Sequence, residues 1–200
     1  MSSSSSPPQV LLLAAGFARR FGADKTCQRL ADGSPLVLAT LKNILPLFPD
    51  VLVVLRSEQH ELRSLLVEHG VRAIQSDRAC LGMGGSLSDG VRASAAASGW
   101  LVALADMPLV RPETYLALSE TLEQGASSLI CAPVYRGQRG HPVGFGASWG
   151  AALQQLDGDL GARHLLAVPD AWIPLACDDP GVVFDIDYPE QLAQLNEGLS

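Results

Sequence analysis

The sequence predicts a single α/β domain built as a three-layer sandwich, a mostly parallel sheet with helices on both faces. Three observations carry that expectation: six short apolar runs recur along the chain, segments of helical character lie between them, and glycine-rich turns sit next to the first run and ahead of one helix. Apolar runs without polar alternation suit strands covered on both faces. Repeated alternation of strand and helix at this spacing places such strands in parallel, with any ligand site beyond their carboxyl ends. The 200 residues, 48% hydrophobic, suffice for one well-packed domain and hardly for two.

Taken in order, residues 1–8 read as a disordered tail and residues 9–197 as the domain. The serine run at 2–6 lacks the basic region and apolar stretch of a secretory signal. Strands are expected at 10–13, 51–55, 71–74, 101–104, 129–132 and 182–184, and helices at 35–45, 58–68, 87–97, 112–123, 147–155 and 189–195. Pro112 and Pro189 suit the first turn of a helix, and each precedes a glutamate that favours the positive end. The least regular stretch, 133–146, reads equally as an excursion over the site or as a surface hairpin. No internal repeat is visible, and no apolar run approaches the ~20 residues of a spanning helix.

Charge and cysteine usage narrow the function. The formal net charge is -7, with ten basic and eight acidic side chains in residues 1–100 against four and thirteen in residues 101–200. A nucleic-acid groove needs basic surface to meet phosphates, so a DNA or RNA partner is not expected. Cys27, Cys80, Cys131 and Cys177 form no CxxC pair, which argues against structural zinc and for reduced thiols in a cytoplasmic protein. His60, His69, His141 and His164 contain no HExxH or close pair.

Six stretches could carry chemistry. After the first apolar run, Gly16 is followed by Arg19, Arg20, Gly22 and Lys25, a small turn that lets backbone N–H groups approach phosphate while cations neutralise it. Lys25 stands out because only it and Lys42 are lysines. The alternative is a solvent-facing basic turn, and neither GxxxxGK[ST] nor GxGxxG is present. Next, Gly82, Gly84 and Gly85 precede Ser86 and Ser88, where glycines would form a close pocket wall and Ser86 would cap a helix or touch a ligand. Asp106 follows the run at 101–104, and Asp185 and Asp187 follow that at 182–184. Carboxylates at two strand ends suit Mg²⁺, which prefers carboxylates, waters and substrate phosphates to a full protein cage; a cap or turn role is the alternative for each. Last, His141 follows Arg136 and Arg139, either facing a phosphate of an acceptor or lying exposed in a loop. Asp159 would cap the helix that Leu165 and Leu166 anchor, leaving Arg163 solvated or turned to the crevice.

Together these stretches resemble the MobA-like nucleotidyltransferases, most closely their molybdenum cofactor cytidylyltransferase branch. LAAGFARRFGADK is similar to the family opening through Gly16, Arg20, Gly22 and Lys25, with Ala18 in place of serine. GMGGSLSDGV, ALADMP, GHPVGF and DLGAR resemble further family stretches, and DIDYPEQL resembles the closing DIDTPEDL with Tyr188 and Gln191 substituted. The resemblance spans nearly all of residues 10–195.

The resemblance implies a Rossmann-like fold of the GT-A nucleotidyltransferase type. It also implies transfer of a nucleoside monophosphate from an NTP, with CTP favoured, to molybdopterin, with Mg²⁺ bound and pyrophosphate released. Leu13, Ala14, Ala15, Gly16, Arg20, Lys25, Gly84 and Ser86 would contact the nucleotide. Arg20, Lys25 and Asp106 would be catalytic, Asp106, Asp185 and Asp187 would hold the metal, and His141 with Arg163 would address the acceptor. Transient contact with molybdoenzyme maturation proteins is a further expectation, and no membrane partner is expected. The competing readings are a guanylyl or sugar-phosphate nucleotidyltransferase and a non-catalytic nucleotide-binding protein.

Overall fold

The computed structural model describes residues 6–16, 25–30, 32–158, 161–168, 171–188 and 190–191. Its centre is an eight-stranded sheet. The strands are β1 (Gln9–Leu13), β2 (Val51–Arg56), β3 (Arg72–Ser76), β4 (Gly99–Leu104), β5 (Ile130–Tyr135), β6 (Gln138–Arg139), β7 (Val143–Gly146) and β8 (Trp172–Ala176). They run in the order β3-β2-β1-β4-β7-β5-β6, with β8 also paired to β5. Only β7 and β6 oppose the common direction, so the sheet is mostly parallel.

The apolar runs do not alternate, yet the pleat sorts them. Val10, Leu12, Val51, Val53 and Leu55 pack into one buried cluster, while Leu11, Leu13, Leu52 and Val54 pack into another. Successive side chains of a strand point to opposite faces, so each cluster belongs to one face. The first face is covered by α1 (Leu36–Ile44), α2 (His60–Glu68) and α4 (Pro112–Gln124), through Leu41, Leu62 and Tyr115 among others. The second is covered by α3 (Met83–Ala93) and α5 (Gly150–Leu153), through Leu87, Val91 and Leu153. Gly90 lets α3 lie close on the sheet, since a Cβ there would sit 3.0 Å from Val54 Cγ2 and 3.3 Å from a Leu11 methyl.

The chain order locates the ligand edge. From β1 the chain steps through α1 to β2 and through α2 to β3 on one side, then returns through α3 to β4 on the other side of β1. That reversal opens a crevice at the carboxyl ends of β1 and β4, where open α/β sheets bind ligands.

Several expectations are corrected. Residues 182–184 form no strand: they fall at the end of a 3-10 turn, Pro180–Val183. The Asp179 carboxylate accepts from Gly181 N–H at 2.9 Å, the side-chain-to-backbone closure that favours a turn over extended pairing. β7 and β8 were not expected, and the stretch 133–146 is a hairpin of β5 and β6 followed by β7, which lies in the middle of the sheet. Helix α3 begins at Met83, four residues earlier than expected, and 147–155 is a 3-10 turn, Ala147–Trp149, followed by the short α5. Within the expected tail, Pro8 is buried and Ser98 Oγ donates to the Ser6 carbonyl at 2.6 Å. The expected helix at 189–195 lies largely outside the described residues.

Candidate active site

At the end of β1 the backbone is held from both sides. The Ala14 N–H donates to the Val54 carbonyl at 3.0 Å, and the Leu13 carbonyl accepts from Ala105 N–H at 3.1 Å. The carbonyls that follow meet two side chains from the β2–α2 junction. Gln59 Nε2 donates to Ala14 O at 3.1 Å, and Arg56 Nη1 donates to Ala15 O at 3.2 Å and also to Gly16 O. Sequence reasoning missed both Arg56 and Gln59, which carry no motif of their own. Gly16 is exposed, and a Cβ there would meet nothing within 4 Å among the described residues. Arg20, Gly22 and the Lys25 side chain lie outside the described residues, the Lys25 backbone opening a 3-10 turn, Lys25–Cys27.

The end of β4 is fixed just as closely. β1 and β4 pair in register from Gln9 and Trp100 to Leu13 and Leu104, so Ala105 and Asp106 emerge beside Ala14 and Ala15. Thr40 Oγ1 donates to the Ala105 carbonyl at 3.0 Å, and Asn43 Nδ2 donates to the carbonyls of Pro108 and Val110 at 2.9 and 3.0 Å. The Asp106 carbonyl accepts from Ile186 N–H at 3.0 Å. Ile186 is fully buried with Leu30 and Leu36, with Phe184 packed against them. The partly buried Asp185 and Asp187 therefore flank an anchored residue at the same edge as Asp106.

The two later aspartates differ in their surroundings. Asp185 acts electrostatically on His141. At Asp187 the backbone N–H donates to Gln191 Oε1 at 2.7 Å, and the same oxygen accepts from Tyr188 N–H at 2.8 Å. That is the return half of a capping box, in which a residue three places into the helix satisfies a leading N–H. Gln191 can supply it where the resembling motif has aspartate.

His141 reaches this edge through β7. Val143 pairs with Val102, which brings His141 to the same end of the sheet as Leu104. Its N–H donates to the Val182 carbonyl at 2.8 Å, and Gly140 is required beside it because a Cβ there would sit 2.1 Å from Val182 O. The ring is not loop-exposed: Nδ1 is buried, with no hydrogen-bond partner among the described residues. Burial pushes the His141 pKa down to about 4, with Arg139 and Arg163 adding to the shift and the Val102 backbone and Asp185 opposing it. Arg163 is exposed at the start of the 3-10 turn Arg163–Ala167, and the pKa of Arg139 is lowered by burial first and then by the charge of Arg163. Leu165 and Leu166 anchor that turn in the second core cluster, whereas Asp159 lies outside the described residues.

The glycine stretch builds a wall by packing backbone on backbone. Gly82, with φ 108°, precedes α3 and no side chain caps it, so Ser86 is not a cap; it is buried inside the first turns. Gly84 donates its N–H to Gly158 O at 2.9 Å, and a Cβ on it would lie 2.4 Å from Asp157 O. A Cβ on Gly85 would lie 2.0 Å from Arg78 O. Ser88 Oγ accepts from Arg78 Nη1 at 2.8 Å and donates to Gln154 O at 2.6 Å. These contacts fix the α3 terminus beside the crevice.

Among the described residues, no group of three or more His, Cys, Asp or Glu side chains is placed to hold an ion. The oxygen-bearing residues joined at this edge are Asp106 and the 185–187 segment, whose Ile186 N–H donates to the Asp106 carbonyl. Two carboxylate positions fit a cation that completes its shell with water and substrate phosphates. They do not fit a closed protein cage. None of the four cysteines forms a disulfide among the described residues, and no described helix is long and apolar enough to cross a membrane.

Gly16 after β1 and Asp106 after β4 lie at the reversal of the α/β sheet. The family model of the MobA-like NTP transferase domain matches residues 10–177, and the chain belongs to that family. Its fold is that of GT-A-like nucleotidyltransferases. It is similar to the solved Rv0371c homologue from Mycobacterium sp. strain JC1, at 25% identity over 96% of this chain and 98% of that one, with TM-score 0.80. It is also similar to the manganese complex of Rv0371c from Mycobacterium tuberculosis, at 24% identity over 96% and 99%, with TM-score 0.78. A nucleotidyl transferase from Methanothermobacter shares 21% identity over 97% and 98%, with TM-score 0.81. No curated protein sequence matches the chain.

Proposed function

We propose that this nucleotidyltransferase joins CMP from CTP to molybdopterin and releases pyrophosphate, with Mg²⁺ as its ion. One observation carries the reading: Asp106, at the carboxyl end of β4, bonds through its carbonyl to the segment that holds Asp185 and Asp187, beside the turn that closes β1. The choice of CTP and of molybdopterin rests on the motifs resembling the cytidylyl branch, including Gly140, His141 and Pro142. The manganese complex of the mycobacterial relative supports a divalent ion for the fold.

In the proposed reaction a terminal phosphate oxygen of the pterin attacks the α-phosphorus of CTP. The bond from that phosphorus to the bridging oxygen breaks, and pyrophosphate leaves with the electron pair. Phosphate is already a competent nucleophile at neutral pH, so no dedicated base is needed. The chain's part is alignment and charge stabilisation. Leu13, Ala14, Ala15 and Gly16 shape the nucleotide edge, and Arg20 and Lys25 hold the triphosphate. Gly84 and Ser86, at the start of α3, would contact the nucleotide as well. Asp106 and Asp185, with Asp187 next to them, would hold Mg²⁺, which when bound neutralises phosphate charge. His141, neutral at pH 7 given its depressed pKa, and the cationic Arg163 receive the acceptor. The reaction is placed in the cytoplasm, where maturation proteins for molybdoenzymes would take the product.

The test supplies purified protein with molybdopterin, Mg²⁺ and all four NTPs at equal concentration, and weighs the modified pterin. A mass gain of CMP is expected. A gain of GMP makes the protein a guanylyl transferase, and an unmodified pterin with nucleotide transferred to a sugar phosphate replaces the acceptor. Binding of NTP and metal with no transfer to any acceptor leaves only a non-catalytic role.

A further inference from the structure

We infer that Arg56 and Gln59 are positioning residues that aim the backbone N–H groups of the turn after β1 at the phosphates of the nucleotide. The inference rests on the nucleotide reading above and deepens it. Three successive carbonyls, of Ala14, Ala15 and Gly16, are taken by just these two side chains. A trans peptide unit is planar, with its N–H directed opposite its own C=O. Holding the carbonyls of Ala14 and Ala15 towards the β2–α2 junction therefore turns the N–H groups of Ala15 and Gly16 the other way. Neither of those N–H groups donates to a described residue, whereas the N–H of Ala14 is spent on Val54. Successive N–H groups facing one concavity bind anions.

The two side chains act as one brace. Gln59 is buried, and its Oε1 accepts from the backbone N–H of Arg56 at 2.7 Å while its Nε2 holds Ala14 O. Arg56 Nη1 spans the next two carbonyls and brings a fixed positive charge behind the turn. Among the described residues nothing lies within 4 Å of where a Gly16 Cβ would sit, so none of them covers the front of the turn. Neither Arg56 nor Gln59 needs to touch substrate: each works through the peptide planes it holds.

Calorimetric titration of CTP into Arg56→Met and, separately, Gln59→Leu tests the role, with Arg72→Met, which loses a surface pair to Asp50, as the control. The dissociation constant is expected to rise about tenfold in each brace variant and to stay at the wild-type value in the control. The KM for the NTP should rise with it, the KM for the acceptor should not, and Arg56→Lys should recover part of the loss. A merely structural brace would lower the melting temperature while the folded variants bound CTP as the wild type does, and that result overturns the inference. The same titration with ATP, GTP and UTP separates the two readings. Wild-type protein that binds none of the four defeats the nucleotide assignment itself; wild-type binding matched by both brace variants defeats only the role of Arg56 and Gln59.

Discussion

The Ile186 N–H donates to the Asp106 carbonyl at 3.0 Å, joining the end of β4 to a segment from the far end of the chain. Because Ile186 is itself fully buried, the aspartates on either side of it are carried to the crevice by a packed residue rather than by a loose tail. Their roles are expected to differ. Asp185, whose field reaches His141, should matter more than Asp187, whose backbone is committed to the Gln191 cap. Turnover measured at saturating NTP should fall further in Asp185→Asn than in Asp187→Asn; the reverse order would reassign the metal-facing carboxylate.

Glycine substitutions should separate packing from binding. Gly85→Ala puts a methyl 2.0 Å from Arg78 O and is expected to cost about 2 kcal/mol or more in a denaturant melt. A methyl at Gly16 meets nothing within 4 Å among the described residues, so the Gly16→Ala melt should stay close to the wild type while CTP affinity falls. A Gly16→Ala protein with unchanged affinity would mean that the turn does not approach the ligand.

Asp179 is expected to be structural. Its buried carboxylate accepts from Arg111 N–H at 2.9 Å, Thr114 Oγ1 at 2.6 Å and Gly181 N–H at 2.9 Å, tying the start of α4 to the turn that leads to Asp185. Asp179→Ala strands three donors and should destabilise the fold by about 3 kcal/mol. Urea unfolding would read it, and a loss under 1 kcal/mol would show that water replaces the carboxylate.

His141 should make stability depend on pH. Its folded pKa, near 4, lies below the ordinary value of 6.5, mainly through burial, so the unfolded chain binds the proton more readily. The stability from a neutral ring is fully present above pH 6.5 and is lost progressively as pH falls towards 4. The difference between wild type and His141→Asn in urea should therefore shrink across that window; a difference independent of pH would mean that the ring titrates normally.

Much of the sheet was legible because β1, β2 and β4 are buried on both faces and write their burial as unbroken apolar runs. β7 was not, since VGFG carries two glycines. Each is demanded by packing: a Cβ would lie 2.7 Å from Cys131 Sγ at Gly144 and 2.2 Å from Ser127 O at Gly146. β8 contains Pro174 and pairs with β5 alone, an edge setting in which proline is tolerated and the strand signal is weak. The run at 182–184 misled because Val182 is a core residue, so its apolarity reports burial and not extension. The position of Asp106 just beyond β4 could be read from a carboxylate following an apolar run. Arg56 and Gln59 could not, because they act on backbone carbonyls of a distant segment and leave no motif of their own.

Lys25 extends the same account to the triphosphate. Lys25→Ala should lower turnover at least about tenfold while the melt is unchanged, and Arg20→Ala should be more damaging than Arg19→Ala. Equal pyrophosphate release from wild type and Lys25→Ala would remove the lysine from the nucleotide site.

The central claim is that Asp106 supports divalent-ion-dependent nucleotidyl transfer, and pyrophosphate release against Mg²⁺ concentration in Asp106→Asn tests it most directly. The amide keeps the size of the side chain but not the negative charge that holds the ion against its phosphate partners. With CTP and molybdopterin supplied, the folded variant is predicted to lose most turnover and to need far more Mg²⁺ for what remains. A folded Asp106→Asn protein with wild-type turnover and unchanged Mg²⁺ dependence would contradict the claim.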